Sequence, residues 1–408
     1  MIEGGAATTL ASSSIATRVQ VFVFFTVFLD LVGFGIVIPL LPFYVKSMGG
    51  TAETIGFLLA SFSFTQLVAT PFLGRWSDRL GRRPIILVSL VGNVIAMVVF
   101  ALATKVALLP LLFASRILAG ATSGNLAACQ ASIADVTAPG EDRARGMGRL
   151  GAGIGLGLVI GPVLGGLISG FGPWAPPLCA AAMALVDLLG AFFFMPETHL
   201  RRGRPAAIVA SRVPRFSLAG IVEHKSLLMI LALYFLTFLC MTNLQVALAL
   251  LVKARLGWGE RAVGHLFGLF GALGLVIQGL LIGRLSRAVG QVRLLVIGLL
   301  FLGAGMAIIA AAKSGSVLIT GVTLVGTGFG LSIPLLSTLA STVAGEERQG
   351  AVLGFAQSSG GLARTIGPVL GGFLFAYFGT GAPFTGGAIA AGLALLIGFA
   401  LKGPAESA

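Results

Sequence analysis

Charged residues are scarce in this chain of 408 residues, where they make up 10% of the sequence against 57% for hydrophobic residues. Soluble domains carry about 25% charged residues, so the composition excludes an ordinary soluble protein. The long apolar runs do not alternate polar and apolar residues, which excludes a membrane β-barrel. Only 3 cysteines occur, and all fall inside apolar runs, so a disulfide framework is not expected.

Several site types are missing as well. The three histidines (His199, His224 and His265) lack metal-ligand spacing, and we expect neither a metal site nor a cofactor. No phosphate-binding P-loop occurs, which excludes a nucleotide-driven pump in a single chain. No pore-loop filter signature occurs, which disfavours a channel. The net charge of +13 is spread over many connections, so we expect no nucleic-acid partner.

What the sequence does contain is a series of apolar runs, each long enough to cross a bilayer as a helix. We predict an all-α polytopic membrane protein with twelve spans. They lie at 19–44, 53–74, 84–104, 106–134, 147–170, 174–195, 226–252, 261–283, 292–312, 316–343, 350–378 and 382–402. The polar segment 196–225 divides them into a first bundle, 19–195, and a second, 226–402. Residues 1–18 and 403–408 are predicted tails, the first of them disordered.

The distribution of Lys and Arg predicts the orientation. The termini and even-numbered connections hold 19 of these residues, whereas the odd-numbered connections hold six. Basic residues accumulate on the cytoplasmic side of membrane proteins. We therefore expect both termini, and the 196–225 linker, in the cytoplasm.

The two halves repeat. The charged loop Gly74–Pro84 has a weaker copy 209 positions later at Gly283–Gly290, and Ile160–Gly166 recurs letter for letter as Ile366–Gly372. In the second loop Arg287 stands where the first has Asp78. The sequence predicts two parallel six-helix bundles related by pseudo-two-fold symmetry.

Four motifs carry a family resemblance. The Gly74–Pro84 loop resembles the loop 2–3 signature of major facilitator transporters. Gly-rich span 5, from Gly153 to Gly166, and the Leu29–Pro42 segment are similar to signatures of the drug/proton antiporters. Arg116-x3-Gly120 is similar to their basic span-4 motif. Residues 20–200 together resemble bacterial tetracycline exporters.

This resemblance implies the major facilitator fold and proton-coupled export of a small lipophilic compound by alternating access. It also implies a monomer in a bacterial cytoplasmic (inner) membrane, with protons, a small-molecule substrate and lipid as its partners. Tetracycline exporters carry a further acid in span 3, which this chain lacks between Pro84 and Thr104. A more hydrophobic drug or a metabolite therefore fits as well as tetracycline.

Asp30 is the strongest candidate for a functional residue inside a span. It lies about mid-span, where a charged side chain is costly and functional by default, and we expect it to carry the coupled proton. Arg116 is predicted at similar depth in span 4, so our hypothesis is that its cation tunes Asp30. A permanently paired, structural Asp30 is the alternative. We interpret Asp187 in span 6 as structural: its side chain either reaches toward the membrane surface (snorkels) or pairs with a nearby residue.

Gating residues are expected in the first loop and in span 5. In the loop, Asp78 is expected to cap a helix or to pair with Arg79, Arg82 or Arg145 when the cytoplasmic side closes. The resemblance implies that spans 5 and 8, and spans 2 and 11, meet across the halves. The full gating set is Gly74, Asp78, Arg79, Gly81, Arg82, Arg83, Gly161 and Pro162.

Candidate substrate-binding residues are polar or aromatic residues in the spans that line the cavity of the family. They are Phe34, Gln66, Asn125, Asn243, Gln245, Gln357 and Arg364. Arg364 has two equal interpretations, an anion contact or closure of the interface between the halves. Two alternatives to drug export stay open, a transporter of a sugar or other metabolite and a polytopic membrane enzyme. The acids are mostly single, which disfavours the enzyme.

Overall fold

The computed structural model describes residues 3–138, 140–198, 225–344 and 349–401, which are almost entirely helical. The described part of the first half, up to residue 198, contains eight α-helices. They are α1 (Glu3–Val37), α2 (Leu41–Ser47), α3 (Ala52–Leu80), α4 (Arg82–Val106), α5 (Leu109–Ala121), α6 (Asn125–Val136), α7 (Glu141–Ile168) and α8 (Ala175–Phe194). Short 3-10 turns at Ile38–Leu40 and Ser169–Phe171 extend α1 and α7.

The described part of the second half, residues 225–344 and 349–401, contains seven α-helices. They are α9 (Lys225–Leu256), α10 (Glu260–Val276), α11 (Ile282–Val289), α12 (Gln291–Ala311), α13 (Gly315–Ala344), α14 (Gln349–Phe378) and α15 (Ala382–Ala400). A π turn at Ile277–Leu281 joins α10 to α11. The predicted 196–225 linker lies almost wholly outside the described residues. At the other end of the chain α1 begins at Glu3, so residues 3–18, expected to be a tail, are helical.

Eleven helical segments of the described chain are long and apolar enough to cross a membrane. The remaining predicted span, 106–134, consists of two shorter helices, α5 and α6, separated at Thr122–Gly124. The side chains of Thr122 and Ser123 donate to the backbone oxygens of Leu118 and Gly120. Such bonds compete with the helical pattern, which explains why this span is broken.

The chain divides into two compact units. One contains Met1–Ile38 and Thr65–Leu200, and the other contains Pro39–Phe64 and Arg201–Ala408. The end of span 1 and the start of span 2 thus pack with the second half of the chain. Within this second unit, Phe43 packs on a core formed mainly by α9, α10, α12 and α13.

Spans 2 and 11 meet within the second unit, as the resemblance implied. The Phe57 and Phe373 rings lie 6.0 Å apart in an edge-on arrangement. Two glycines permit a close approach of α3 to α14. A Cβ on Gly56 would lie 3.1 Å from the Val369 Cα, and a Cβ on Gly372 would lie 3.1 Å from the Glu53 Cα.

The glycines of span 5 form a smooth strip on α7, but its partner is not the one expected. The glycines at 153, 157, 161 and 165 lie against the backbone oxygens of residues 24, 28, 32 and 36 on α1, in the same unit. A Cβ on Gly161 would lie 2.6 Å from the Val32 oxygen. The expectation that this strip faces span 8 is therefore wrong, because four-residue spacing predicts a close helix contact without specifying the partner.

Candidate functional site

Asp30 lies on α1 close to two side-chain amides. The Asn93 Nδ2 on α4 donates to the Asp30 Oδ1 at 3.0 Å, and the Asn125 side chain at the start of α6 lies within interaction distance of the same carboxyl group. Asp30 is half-buried as a whole residue. Residues of three helices therefore surround one carboxyl group.

The break between α5 and α6 positions Asn125. Its Oδ1 accepts the backbone N–H of Leu126 at 2.9 Å, which leaves its NH2 group to donate to Asp30. The N-terminus of α6, with its positive helix dipole, is also at this point. Interrupted helices whose ends point at a ligand or ion are a common device in membrane transporters.

Arg116 on α5 occupies an apolar pocket of the same unit. Its guanidinium lies 4.7 Å from the centre of the Phe100 ring, and it contacts the Ser115 Oγ at 3.3 Å. The residue is only 2% exposed, and its Nε has no hydrogen-bond partner among the described atoms. No hydrogen bond or ion pair joins Arg116 to Asp30 in the described residues, so an influence on Asp30 would act through space.

Asp187 on α8 is buried rather than snorkelled. It is 3% exposed, and its Oδ1 accepts a hydrogen bond from the Thr26 hydroxyl on α1 at 2.8 Å. The Oδ2 atom has no hydrogen-bond partner among the described atoms. Thr26 precedes Asp30 by four residues, so both carboxyl groups approach the same side of α1.

The charged loop forms an ion-pair network, defined here as Asp78, Arg82, Asp135 and Glu197. The Arg82 Nη1 donates to the Asp78 Oδ1 at 2.5 Å, and its Nε donates to the Asp135 Oδ2 at 3.0 Å. Of the three arginines expected to pair with Asp78, Arg82 is the partner seen among the described contacts. Arg145 instead pairs with Glu141.

Glu197 completes the network by capping the N-terminus of α4. Its two carboxylate oxygens accept the backbone N–H groups of Arg82, at 2.9 Å, and Arg83, at 3.2 Å. Gly81, the residue before α4, has φ +111°, and a Cβ there would lie 2.8 Å from the Glu197 Cδ. Only glycine satisfies both the backbone conformation and the close approach.

Asp135 and Glu197 were not among the residues predicted from the sequence. Both are single acids just beyond the predicted ends of spans 4 and 6, in a chain with only 14 acidic residues. Their position on the same side as the basic loop was a usable signal. Asn93 was missed for another reason, because a single amide in an apolar span does not reveal which helix it faces.

The second copy of the loop has the same backbone and different contacts. Gly290 precedes α12 with φ +89°, as Gly81 precedes α4. The Arg287 Nε donates to the Gly283 oxygen of its own helix at 3.0 Å. No ion pair joins residues of this copy in the part of the chain that the structure describes.

Within the second unit, the predicted residues Asn243 and Arg364 have different surroundings. Asn243 on α9 is 1% exposed, and neither its Oδ1 nor its Nδ2 has a hydrogen-bond partner among the described atoms. Arg364 on α14 lies 4.8 Å from the centre of the Phe238 ring. Phe238 also contacts Tyr234 and Phe329, which makes an aromatic cluster that the sequence did not reveal.

The other predicted residues differ in their burial. Phe34, Gln66 and Gln245 are half-buried, and Gln357 is exposed. Gly161 and Pro162 on α7 pack against Gly35 of α1. Of the predicted site, the structure brings Asp30 and Asn125 together and brings Asp78 and Arg82 together.

A chain of long apolar helices in two six-helix halves, with buried ionisable side chains, has the architecture of a membrane solute transporter rather than of an enzyme. The model of the Major Facilitator Superfamily matches residues 23–242 and 230–408. The chain therefore belongs to the major facilitator superfamily of multi-pass membrane transporters.

Individual relatives agree with this membership. The chain is 31% identical over 353 residues to the class E tetracycline resistance protein of Escherichia coli, with 86% of each protein covered. It is 29% identical over 358 residues to multidrug resistance protein 2 of Bacillus subtilis, again with 86% of each covered. The crystal structure of the human organic anion transporter MFSD10 (TETRAN) matches with a TM-score of 0.70 and 27% identity, covering 95% of this chain and 99% of that one.

Proposed function

We propose that this protein exports a small lipophilic compound from the cytoplasm in exchange for protons, by alternating access in a bacterial cytoplasmic membrane. The observation that carries the proposal is Asp30, a carboxyl group in a membrane-spanning helix that accepts a hydrogen bond from Asn93 and lies beside Asn125. The similarity to tetracycline and multidrug resistance proteins supports export as the direction. The protein would act as a monomer with both termini in the cytoplasm.

In this mechanism Asp30 alternates between two states. The charged carboxylate accepts the hydrogen bond of Asn93, and a proton or a cationic substrate competes for the group. Arg116, buried in the same unit, favours the charged form through space. A proton that binds from outside is released to the cytoplasm, and the substrate moves the opposite way.

The cytoplasmic ion-pair network would control access. Asp78, Arg82, Asp135 and Glu197 connect the loop before α4 to the ends of α6 and α8. Ion pairs of this kind are strong where geometry is fixed and reversible where water can reach them. We infer that the network holds one state of the cytoplasmic side and is released in the other, with Gly74, Arg79 and Arg83 in the same loop and Gly161 and Pro162 on α7.

A transport assay in inverted membrane vesicles tests the proposal. Vesicles containing wild type, Asp30→Asn or Asp142→Asn are energised with a proton gradient and offered ethidium, tetracycline or carboxyfluorescein. Asp142 is an exposed acid in the first turn of α7 and serves as the matched control. We expect wild type and Asp142→Asn to accumulate at least one probe and Asp30→Asn to accumulate none. Full proton-coupled uptake by Asp30→Asn would refute the role of Asp30.

An organic anion is the second candidate substrate class. Arg116 and Arg364 are cations that form no ion pair in the described residues, and each lies over an aromatic ring. A protein of 27% identity is an organic anion transporter. Uptake of carboxyfluorescein without uptake of ethidium, lost in Arg364→Gln, would favour this candidate over a lipophilic cation.

A further inference from the structure

Asp187 is a buried acid that the mechanism above does not use. Its side chain is 3% exposed, its Oδ1 accepts the Thr26 hydroxyl hydrogen bond at 2.8 Å, and its Oδ2 has no partner among the described atoms. An ionised carboxylate in such a place is costly unless a cation or several donors compensate it. One neutral hydroxyl donor is poor compensation.

The charged groups around Asp187 do not supply the missing compensation. The groups that interact with it are the Asp30 carboxyl from α1 and the Cys129 thiol from α6. The described helices packed on α8 carry seven basic residues. They are Arg18 in α1, Arg82, Arg83 and Lys105 in α4, and Arg143, Arg145 and Arg149 in α7. No ion pair joins any of them to Asp187 in the described residues.

The position of Asp187 relative to Asp30 is informative. Thr26 and Asp30 are four residues apart on α1, which places them about 6 Å apart along the helix axis and on one face. Both carboxyl groups act electrostatically on Cys129, so they surround one small region inside the first unit. Thr26 is on the N-terminal side of Asp30, which the distribution of basic residues assigns to the cytoplasmic side.

We propose that Asp187 is a second proton-binding site, through which the proton taken up by Asp30 leaves toward the cytoplasmic end of α1. This inference rests on the proposed function of proton-coupled export. Because the charged form is poorly compensated, Asp187 holds a proton at rest. In the transfer cycle Asp187 first releases that proton toward the cytoplasmic end of α1 and becomes a carboxylate. The Asp30 carboxylic acid then gives its proton to the Asp187 Oδ2, while the Asp187 Oδ1 keeps the Thr26 bond. This transfer leaves Asp30 as a carboxylate and restores the neutral Asp187.

A purely structural role for Asp187 would join α1 to α8 through Thr26. Asparagine at position 187 keeps an Oδ1 that can accept the Thr26 hydroxyl, but it cannot take up a proton. Asp187→Asn therefore preserves the structural contact and removes the proposed chemistry. Asp187→Glu keeps the carboxyl group and serves as the conservative rescue.

Infrared difference spectroscopy tests the site without a transport substrate. The purified full-length protein in lipid nanodiscs is taken through a pH titration, and the C=O band of protonated carboxylic acids is recorded. We expect Asp187→Asn to lose one such band and Asp187→Glu to retain a shifted one. Thr26→Val should move the band, because the carbonyl loses its hydrogen bond. An unchanged band in both Asp187→Asn and Thr26→Val would overturn the inference.

Transport in the same inverted vesicles separates this inference from the proposed function. We expect Asp187→Asn to lose proton-driven accumulation of the three probes but to keep exchange of probe across the membrane without a gradient. Equal proton-driven uptake by wild type and Asp187→Asn would refute the inference and leave the proposed function intact. If wild type accumulates no probe, the proposed function fails, and a band lost in Asp187→Asn would still support the proton-binding site.

Discussion

The loop at Gly74–Pro84 and its copy at Gly283–Gly290 share a glycine turn but differ in their ion pairs. Each ends in a glycine with positive φ, Gly81 at +111° and Gly290 at +89°, that precedes a membrane helix. The first loop pairs Arg82 with Asp78 and Asp135. In the second loop Arg287 bonds only to a carbonyl of its own helix among the described contacts. The second copy thus has the same turn as the first, without ion pairs among the described residues.

The same asymmetry extends into the helices. Asp30 and Asp187 lie in helices of the first half. Between Lys225 and Leu401 the acids are Glu260, Glu346 and Glu347, and none falls within a predicted span. Among the described residues, Asp30, Asp187 and the Arg82 ion pairs thus lie in the first half, whereas the second half has a buried amide and an arginine–aromatic cluster.

The largest expected effect comes from making the first loop like the second. Position 82 matches Gln291 in the copy, so Arg82→Gln converts the first loop to the second at its central residue. The side chain is 11% exposed and its partner Asp135 is 26% exposed, and removal of Arg82 leaves Asp135 unpaired. We expect a stability loss of about 1–3 kcal/mol, measured by thermal unfolding in detergent, and a clear fall in transport.

Arg287→Gln is the matched control, because Arg287 forms no ion pair among the described residues. A surface substitution of this kind changes stability by about 0.5 kcal/mol or less. Equal effects of Arg82→Gln and Arg287→Gln would contradict the asymmetry between the loops.

An intermediate difference between the loops is expected from alanine at the two turn glycines. Gly81→Ala and Gly290→Ala both force a residue with a Cβ into a conformation that costs about 1–3 kcal/mol. Gly81→Ala carries the further collision with Glu197, whereas a Cβ on Gly290 meets no described atom within 4 Å. Thermal unfolding should therefore show the larger loss for Gly81→Ala, and the reverse order would contradict the assignment of Glu197 to the network.

The smallest expected effect comes from building the ion pair into the second loop. Arg287→Asp with Gln291→Arg reproduces the Asp78–Arg82 spacing on the other repeat. A single ion pair at this spacing contributes about 0.2–0.5 kcal/mol. No acid equivalent to Asp135 is present at position 344, so the new arginine would have only this one partner. Stabilisation should be barely measurable at low salt and vanish at high salt. A stabilisation as large as the loss in Arg82→Gln would show that local pairing, rather than the network, matters.

The sequence predicted eleven of the twelve spans as continuous helices and identified Arg82 as one of three possible partners of Asp78, because these features depend on neighbouring residues. It did not predict the partners of Asp30, since Asn93 and Asn125 reach it only after three helices adopt particular rotations. The placement of residues 39–64 with the second unit likewise depends on close packing between distant glycines and helix backbones. The glycine strip on α7 was predicted as a helix contact and assigned to the wrong partner for the same reason.

That strip has a practical consequence for measuring motion. Four glycines of α7 lie against four backbone oxygens of α1 at matching four-residue intervals, so neither helix can rotate or slide without collision along the whole contact. We therefore expect α1 and α7 to move together as one rigid body. A fluorescent or spin label at Leu167, which is 43% exposed on α7, would report the displacement of Asp30 without any change to the helix that carries it.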